Sequence, residues 1–403
     1  MRYPKLALPF LVSTLCAVAD WPQWRGPNRD GVAPMLVEPK TWPEKLSRRW
    51  KVAVGEGHSS PIVAEGKVFL HSRRGEEEVV AAYDPRTGRE LWIARYAAPY
   101  TVNPAATRHG KGVKSTPVYA GGRLFTYGIT GVLSAFEAKS GKLLWRKEFS
   151  REYQHTSPLY GSAMSPLVER GLLIAHTGGH DNGALVAFDT STGSQKWRWT
   201  GDGPGYGSPL AIDASGIRQV VTQSQNAALS VDVSNGKLLW KIPLRTPYDQ
   251  NSVTPLLHRD ILILSGLGYG TLAVKPGASA ADRLWHIKDV SLYMSSPVSA
   301  GNLIFGMSHR NRGQFFTLEP SSGKVLWTTP GREAENAAIL SAGSLVLILK
   351  NDGELIAARA GAKAFEPIRR YTVADSETWA HPAPLGARGI LIKDFDSLAL
   401  WEW

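Results

Sequence analysis

The chain has 403 residues, of which 43% are hydrophobic, 20% are charged and one is cysteine, and its formal net charge is +11. This composition permits a large buried core. It excludes a fold held by several disulfides and a metal centre built from several thiolates. Basic surfaces attract nucleic acid, anionic lipid and acidic polysaccharide, although we favour the interpretation that the charge serves solubility.

The first 19 residues are predicted to be a secretory signal peptide. Arg2 and Lys5 precede an apolar run that begins at Leu6 and ends in the small residues 17–19, the order of regions in such signals. We expect cleavage before Asp20, which would place the mature chain in the periplasm or outside the cell. An exported protein makes nucleic acid the least expected partner.

Two alternatives to cleavage remain open for this segment. A membrane anchor is disfavoured because the apolar run is shorter than the roughly 20 residues of a spanning helix, and no transmembrane segment is expected elsewhere. Lipidation at Cys16 is the other alternative. Lipidation sites typically have a Leu three residues before the cysteine, whereas here Leu15 stands directly before Cys16. Removal of the segment would leave no cysteine and a formal charge of +9.

Residues 20–47 are predicted to form an extended segment. Their first part, Asp20-Trp-Pro-Gln-Trp-Arg-Gly-Pro-Asn-Arg-Asp-Gly31, is dense in Pro, Gly and Asn, a composition that favours neither helix nor regular strand. We expect this segment to lie over the domain that follows, with Trp21 and Trp24 packed against it.

A repeat organises residues 48–403. Its clearest copy is Ala81-Ala-Tyr-Asp-Pro-Arg-Thr-Gly-Arg-Glu-Leu-Trp92, and weaker copies occupy residues 134–145, 186–197, 230–240 and 317–327. The pattern predicts a hairpin: an apolar strand, a turn whose Gly accepts a positive φ, and a second strand ending in Trp. We expect the Asp side chains of the turns to accept hydrogen bonds from local backbone N–H groups.

Each repeat contains a second hairpin, which a Ser-x-Pro or similar triplet opens, so each holds about four short strands. The closing aromatic residues stand 42 to 53 residues apart, a period typical of β-propeller blades. These aromatic residues are Trp50, Trp92, Trp145, Trp197, Trp240, Trp285, Trp327 and Tyr371. Because they recur at one blade position, we expect them to dock neighbouring sheets rather than to stack on a cofactor.

The predicted fold is all-β: an eight-bladed β-propeller of four-stranded antiparallel blades spanning residues 48–403. The strand around Trp50 has no inner strands before it, and residues 383–403 have inner strands but no closing one. We therefore expect the two ends of the chain to complete one blade and to close the ring. The ring is expected to be a monomer.

The sequence resembles exported propellers with pyrroloquinoline-quinone (PQQ)-like repeats. The resemblance rests on the Trp-Pro-x-aromatic-Arg-Gly-Pro segment that begins at Trp21 and on repeats ending in Asp-x-x-Thr-Gly-x-x-x-Trp. This class includes quinoprotein dehydrogenases and the non-enzymatic, BamB-like outer-membrane assembly lipoproteins. The dehydrogenases commonly hold PQQ between a Trp and a disulfide of adjacent cysteines, with Ca²⁺ on Glu, Asn and Asp. This chain has no adjacent cysteines, and Val32-Ala-Pro34 replaces the Arg-Tyr-Ser-Pro segment that such enzymes carry.

The candidate binding site lies where loops meet at the ring axis. The residue three positions before each Pro cue varies in chemistry, as a shaped pocket would require, although unconstrained loops vary too. The residues predicted to form this axial funnel are His58, Lys114, Tyr206, Asn251, Tyr293, Glu335, Trp379 and His381; Ala163, Ser252, Met294 and Asn336 occupy equivalent positions. Extra loop length in residues 97–113 and 149–163 is expected on the binding face.

One turn carries side chains that could bind a metal ion. His176, His180 and Asp181 are competent ligands for a divalent metal. However, the glycines between them favour a hairpin turn that fixes no ligand direction, so no metal site is predicted.

Two functions remain open. The preferred one is an exported, non-enzymatic propeller that binds a protein or polysaccharide partner through its axial face without a cofactor. The alternative is a PQQ-dependent oxidoreductase that acts on alcohols or sugars with PQQ and calcium. A hydrolase is a weaker possibility, for which the sequence offers no catalytic pair.

Overall fold

The computed structural model describes residues 20–403 as a ring of eight four-stranded antiparallel sheets, which we number as blades one to eight. This confirms the predicted fold. The first strands of blades eight, one, two and three contact one another in turn, as do those of blades six and seven, so the first strands line the axis. The predicted signal peptide lies outside the described residues. Within residues 20–403, no helix has the length and apolar character that a membrane crossing requires.

Each blade runs from an inner to an outer strand. The strands of blades one to four are Ile62–Ala64, Lys67–Arg74, Glu77–Tyr83 and Glu90–Ala97; Val118–Ala120, Arg123–Tyr127, Leu133–Glu137 and Leu143–Lys147; Leu167–Glu169, Leu172–Gly179, Asn182–Asp189 and Gln195–Trp199; Leu210–Ala214, Ile217–Gln223, Ala227–Asp232 and Leu238–Pro243. Those of blades five to eight are Leu256–His258, Ile261–Gly266, Gly270–Pro276 and Ala281–Ile287; Val298–Ala300, Leu303–Ser308, Gln314–Leu318 and Val325–Thr328; Ala337–Ala342, Leu345–Lys350, Glu354–Ala360 and Phe365–Thr372; Ala383–Leu385, Gly389–Lys393, Ser397–Glu402 and Ser47–Ala53. Short 3₁₀ helices occupy Pro104–His109, Phe149–Arg151, Pro247–Asp249 and Arg310–Arg312.

Blade eight joins the two ends of the described chain. Its outer strand Ser47–Ala53 pairs antiparallel with Ser397–Glu402, and Trp50 lies opposite Leu400. The strand that closes the ring therefore comes from the N-terminal side, as predicted, and the pairing leaves no open sheet edge at the join.

The repeated Trp and Gly of the motif meet across neighbouring blades. The indole Nε1 of Trp92 in blade one donates a hydrogen bond to Ala138 O of blade two at 3.0 Å. Its ring covers Gly141, whose φ is +74° and whose Cβ, if present, would lie 2.4 Å from Trp92 Cε3. Gly is thus required at this turn both for its positive φ and for the space that the indole occupies.

Most of the other docking residues repeat this contact, and two replace the partner. The indoles of Trp50, Trp145, Trp197, Trp285 and Trp327 donate to backbone carbonyls of the following blade. Trp240 instead donates to Gln219 Oε1, and Gln219 reaches Gly277 O of blade five. Tyr371 donates to Pro43 O of the N-terminal segment at 2.8 Å. The segment thus fills the place that a repeat turn would occupy.

The Asp residues of the turns have the local role that the sequence predicted. Asp84 Oδ1 accepts from Arg86 N at 2.8 Å, and Asp189 and Asp232 make the same contact in their own turns at 2.9 and 2.7 Å.

The N-terminal segment crosses one end of the ring axis. Trp21 is buried and exchanges backbone hydrogen bonds with Val63 of blade one. The buried guanidinium of Arg25 donates to Pro297 O, at the inner strand of blade six. Arg29, also buried, donates to Ser165 O at 2.8 Å, beside blade three. The segment therefore ties opposite sides of the ring together.

Candidate functional site

A cavity of about 250 Å³ lies on the axis, where the loops that enter the eight blades meet the N-terminal segment. Trp24 is the residue of that segment that lines it. The other lining residues are His58, Ala105, His109, Lys114, Tyr160, Ala163, Tyr206, Ser208, Gln250, Ser252, Thr254, Tyr293, Met294, Asn336 and Trp379. The structure therefore brings together five of the eight predicted funnel residues and all four of the equivalent positions named with them.

The loops before the inner strands converge because they bond to one another around the axis. His58 N donates to Val113 O at 2.7 Å, which joins the loops that enter blades one and two. Tyr206 N donates to Asn251 O at 2.9 Å between the loops that enter blades four and five. Equivalent positions of successive blades consequently face the same space.

Among residues 20–403, Lys114 is the only Lys or Arg that lines the cavity. Its Nζ donates to Tyr160 O at 2.8 Å, and it makes no ion pair with any of residues 20–403. Burial lowers the pKa of Lys114 to about 8, because desolvation disfavours the charged ammonium. An ammonium has three N–H donors, so two remain for a bound molecule.

His58 adds a buried acceptor beside Lys114. Burial is the main cause that lowers the pKa of His58 to about 3, so the ring is neutral at neutral pH. Its Nε2 is buried and has no hydrogen-bond partner among the described residues. The ring centroids of His109 and Trp379 each lie 6.1 Å from the ring centroid of His58.

Aromatic residues form the part of the wall that adjoins Lys114. Tyr160 N donates to the hydroxyl of Tyr206 at 3.2 Å, and the two rings meet edge to face at 5.8 Å. Burial raises the pKa of Tyr206, so its hydroxyl stays protonated. This wall combines apolar ring faces with phenol groups at their edges.

The insertion at residues 97–113 reaches across the mouth. Its 3₁₀ helix presents Arg108, which pairs with Glu335 at 2.7 Å and with Glu377 at 3.2 Å. Glu377 also accepts from the indole of Trp379 at 2.9 Å, and His109 packs against that indole at 4.9 Å. One arginine thus holds the insertion against blades seven and eight and, through Glu377, fixes Trp379 at the mouth.

Three predicted funnel residues do not line the cavity. The Asn251 amide is buried and donates to Ser224 O, Gln225 O and Leu244 O, so it holds a loop together. Glu335 faces outward to Arg108. Trp24 covers His381, with ring centroids 5.0 Å apart.

The weak metal candidates do not converge. His176 is buried and its Nε2 contacts Asp202 O at 3.0 Å. Asp181 bonds to Gln225, whereas His180 faces Tyr206 and lies 3.8 Å from Asp249. Among residues 20–403, no group of three His, Cys, Asp or Glu side chains could hold a metal ion.

Sequence reasoning missed several wall residues. His109 and Ala105 come from the first long insertion and Tyr160 from the second, so their only sequence signal was excess loop length. Trp24 lay in the expected N-terminal segment, but nothing in its spacing indicated that it would reach the cavity.

Comparison with known proteins identifies the family. A family model described as "Outer membrane protein assembly factor BamB" matches residues 75–329. The chain is 24% identical over 330 residues to the BamB protein of Yersinia pestis, covering 78% of this chain and 68% of that one. The chain spans between 58% and 68% of the length of the first three curated relatives that it matches.

Solved structures share the fold. BamB of Moraxella catarrhalis superposes with a TM-score of 0.65 at 15% identity, covering 89% of this chain and 98% of that one. A quinohemoprotein alcohol dehydrogenase of Comamonas testosteroni gives 0.69 at 13% identity, covering 95% and 80%. With more than half of its length matched by the family model, the chain belongs to the PQQ-like repeat family described as outer membrane protein assembly factor BamB.

Proposed function

We propose that this chain is an exported, non-enzymatic propeller that binds a glycan through its axial face, with one sugar ring held in the cavity. The observation that carries the proposal is the cavity wall. Aromatic rings stand beside hydroxyl and amide groups there, and no described wall residue is Asp or Glu. A sugar ring has apolar C–H faces and polar edges, and a wall of this kind complements both.

The size of the cavity supports one ring rather than a larger group. Pockets for drug-sized ligands hold about 300–1,000 Å³, whereas this cavity holds about 250 Å³. The wall has hydrogen-bonding groups on several sides, including Gln250, Ser252 and Asn336. They would fix the orientation of a ring whose neighbours in the glycan extend out of the mouth.

The dehydrogenase alternative is less well supported by these residues. Calcium is held by six to eight oxygen ligands, usually including carboxylates. Among residues 20–403, no Asp or Glu lines the cavity. The single cysteine of the sequence also cannot supply the adjacent pair that commonly covers PQQ in such enzymes. The residues present therefore do not fit PQQ with its calcium ion.

A protein partner is the second candidate. Two apolar side chains beside the mouth favour it: Leu159, 45% exposed, precedes the wall residue Tyr160, and Tyr248, 74% exposed, lies two residues before Gln250. The relatives named as outer membrane protein assembly factors are consistent with such a partner.

Binding of purified residues 20–403 to an array of bacterial and plant glycans tests the proposal. We expect retention of at least one glycan class and its loss in Trp379→Ala, which removes an aromatic wall. Tyr248→Ala is the matched control, because it removes an exposed aromatic side chain outside the wall. Absence of any glycan binding, or equal binding by Trp379→Ala, would contradict the proposal.

The same preparation separates the alternatives. A protein partner predicts crosslinking in extracts that the double variant Leu159→Ser, Tyr248→Ser loses and Trp379→Ala retains. The dehydrogenase predicts stoichiometric uptake of PQQ with calcium and dye-linked oxidation of alcohols or sugars. Turnover in that assay would replace the binding function.

A further inference from the structure

We propose that the sugar held in the axial cavity carries a carboxylate, so that the glycan is an acidic polysaccharide built from uronic acids. This inference rests on the glycan-binding function proposed above and names its ligand class. It is carried by the placement of Lys114 and His58 side by side in the cavity wall, where no Asp or Glu is found among residues 20–403.

Lys114 is the group that selects for negative charge. Its Nζ is fixed by one hydrogen bond to Tyr160 O at 2.8 Å, and its other N–H donors have no partner among residues 20–403. An ammonium in this partly desolvated position gains most from an anion, because the local dielectric constant is below that of water. A neutral ligand would leave its charge uncompensated.

His58 adds a requirement for a donor near the anion. The loops of His58 and Lys114 are hydrogen-bonded neighbours, through His58 N and Val113 O at 2.7 Å. The buried, unpartnered Nε2 of His58 is an acceptor if the proton resides on Nδ1. A carboxylate together with a ring hydroxyl, as a uronic acid presents them, supplies what both groups lack.

Buried cations beneath the cavity add to the positive potential. Arg25 and Arg29 belong to the same N-terminal segment as the wall residue Trp24 and are fully buried, and both guanidinium groups bond to backbone carbonyls. Asp30 is the carboxylate that acts on Arg25, and burial alone accounts for the lowered pKa of Arg29, about 9. Charges in such a low-dielectric cleft concentrate the field toward its opening.

The wall favours a carboxylate over a phosphate. A single lysine offers one point charge, whereas phosphate sites typically combine arginine forks or arrays of backbone N–H groups. No arginine lines the cavity among the described residues. One negative charge on each sugar ring matches one ammonium.

Calorimetric titration tests the inference with defined probes: trimers of galacturonic, glucuronic and guluronic acid, and the methyl ester of each. At pH 7 we expect at least one acid trimer to bind at least tenfold more tightly than its ester. Lys114→Gln should remove this preference, and Lys114→Arg should keep most of it. Lys111→Gln is the matched control, since it removes the same charge from an exposed lysine that pairs with Glu76 at 3.0 Å.

The pH profile provides a second readout. Lys114 faces His58, His109, Tyr160 and Tyr206, and both histidines are neutral above pH 7 because burial lowers their pKa. Affinity for the acid trimer should fall as the pH rises through about 8, where Lys114 loses its proton. Lys114→Arg should bind with a flat profile over the same range.

The outcomes distinguish failure of the acidic ligand from failure of the glycan-binding function. Equal binding of acid and ester by the unmodified protein would overturn the acidic ligand and leave the glycan function standing. Binding of neutral or sulfated glycans only would do the same. Failure of every glycan would overturn both, and tighter binding of PQQ than of any acid trimer would assign the cavity to a different anion.

Discussion

Replacing Gly141 with Ala should destabilise the ring by disrupting the contact between blades one and two. The added methyl would lie 2.4 Å from Trp92 Cε3, and the backbone there has a φ of +74°. A positive φ costs a non-glycine residue roughly 1–2 kcal/mol, and forcing an extra methyl into a packed contact costs about 1–3 kcal/mol more. We therefore expect the free energy of unfolding to fall by about 2–5 kcal/mol.

Gly122 provides the matched control in the same blade. Its φ is +77°, and no atom lies within 4 Å of the position of an added Cβ. Gly122→Ala should therefore show the backbone cost alone, roughly 1–2 kcal/mol. Urea unfolding followed by circular dichroism measures both variants. Adding Trp92→Leu should make the Gly141→Ala loss smaller, because the indole no longer occupies the space; equal losses for the two glycine variants would refute the docking argument.

Two further predictions concern a buried histidine and the loop at the mouth. Burial lowers the pKa of His176 to about 4, so the unfolded chain binds its proton first as the pH falls below about 6.5; stability should drop between pH 6.5 and 4 by up to about 3 kcal/mol. His176→Gln, which keeps a donor for Asp202 O, should flatten that part of the stability profile, and an unchanged slope would show that other groups control it. Arg108→Met should cost less than about 1 kcal/mol of stability, since its ion pairs are exposed. It should nevertheless raise hydrogen exchange in residues 104–109, and unchanged exchange would mean that the ion pairs do not hold the insertion.

The ring was predictable because its contacts repeat. The Trp and Gly of the motif meet at five of the junctions between blades, so their spacing in the sequence records the period of the structure. The closure of blade eight followed from the incomplete repeats at each end, which only each other could complete. Gln219, which substitutes for the missing turn contact of Trp240, does not recur in other blades, where Arg123 and Leu172 occupy the equivalent position, so it was not predictable.

The cavity was predictable only where it uses equivalent blade positions. His58, Lys114 and Tyr206 were found in this way, but neighbouring residues on the same loops can point elsewhere: Ser252 faces the cavity, whereas Asn251 beside it is committed to backbone carbonyls. Insertions have no period, so the contribution of His109 and the pairing of Arg108 depend on tertiary contacts between distant blades.

The pairing of Ser47–Ala53 with Ser397–Glu402 has a consequence for how the protein is made. An early-synthesised strand must wait for nearly the whole chain before it has a partner, and Arg25 waits equally for Pro297. Contacts of such long sequence separation slow folding. Blade eight therefore cannot be complete before residues 397–402 are synthesised, and until then the strand Ser47–Ala53 is exposed to competing interactions.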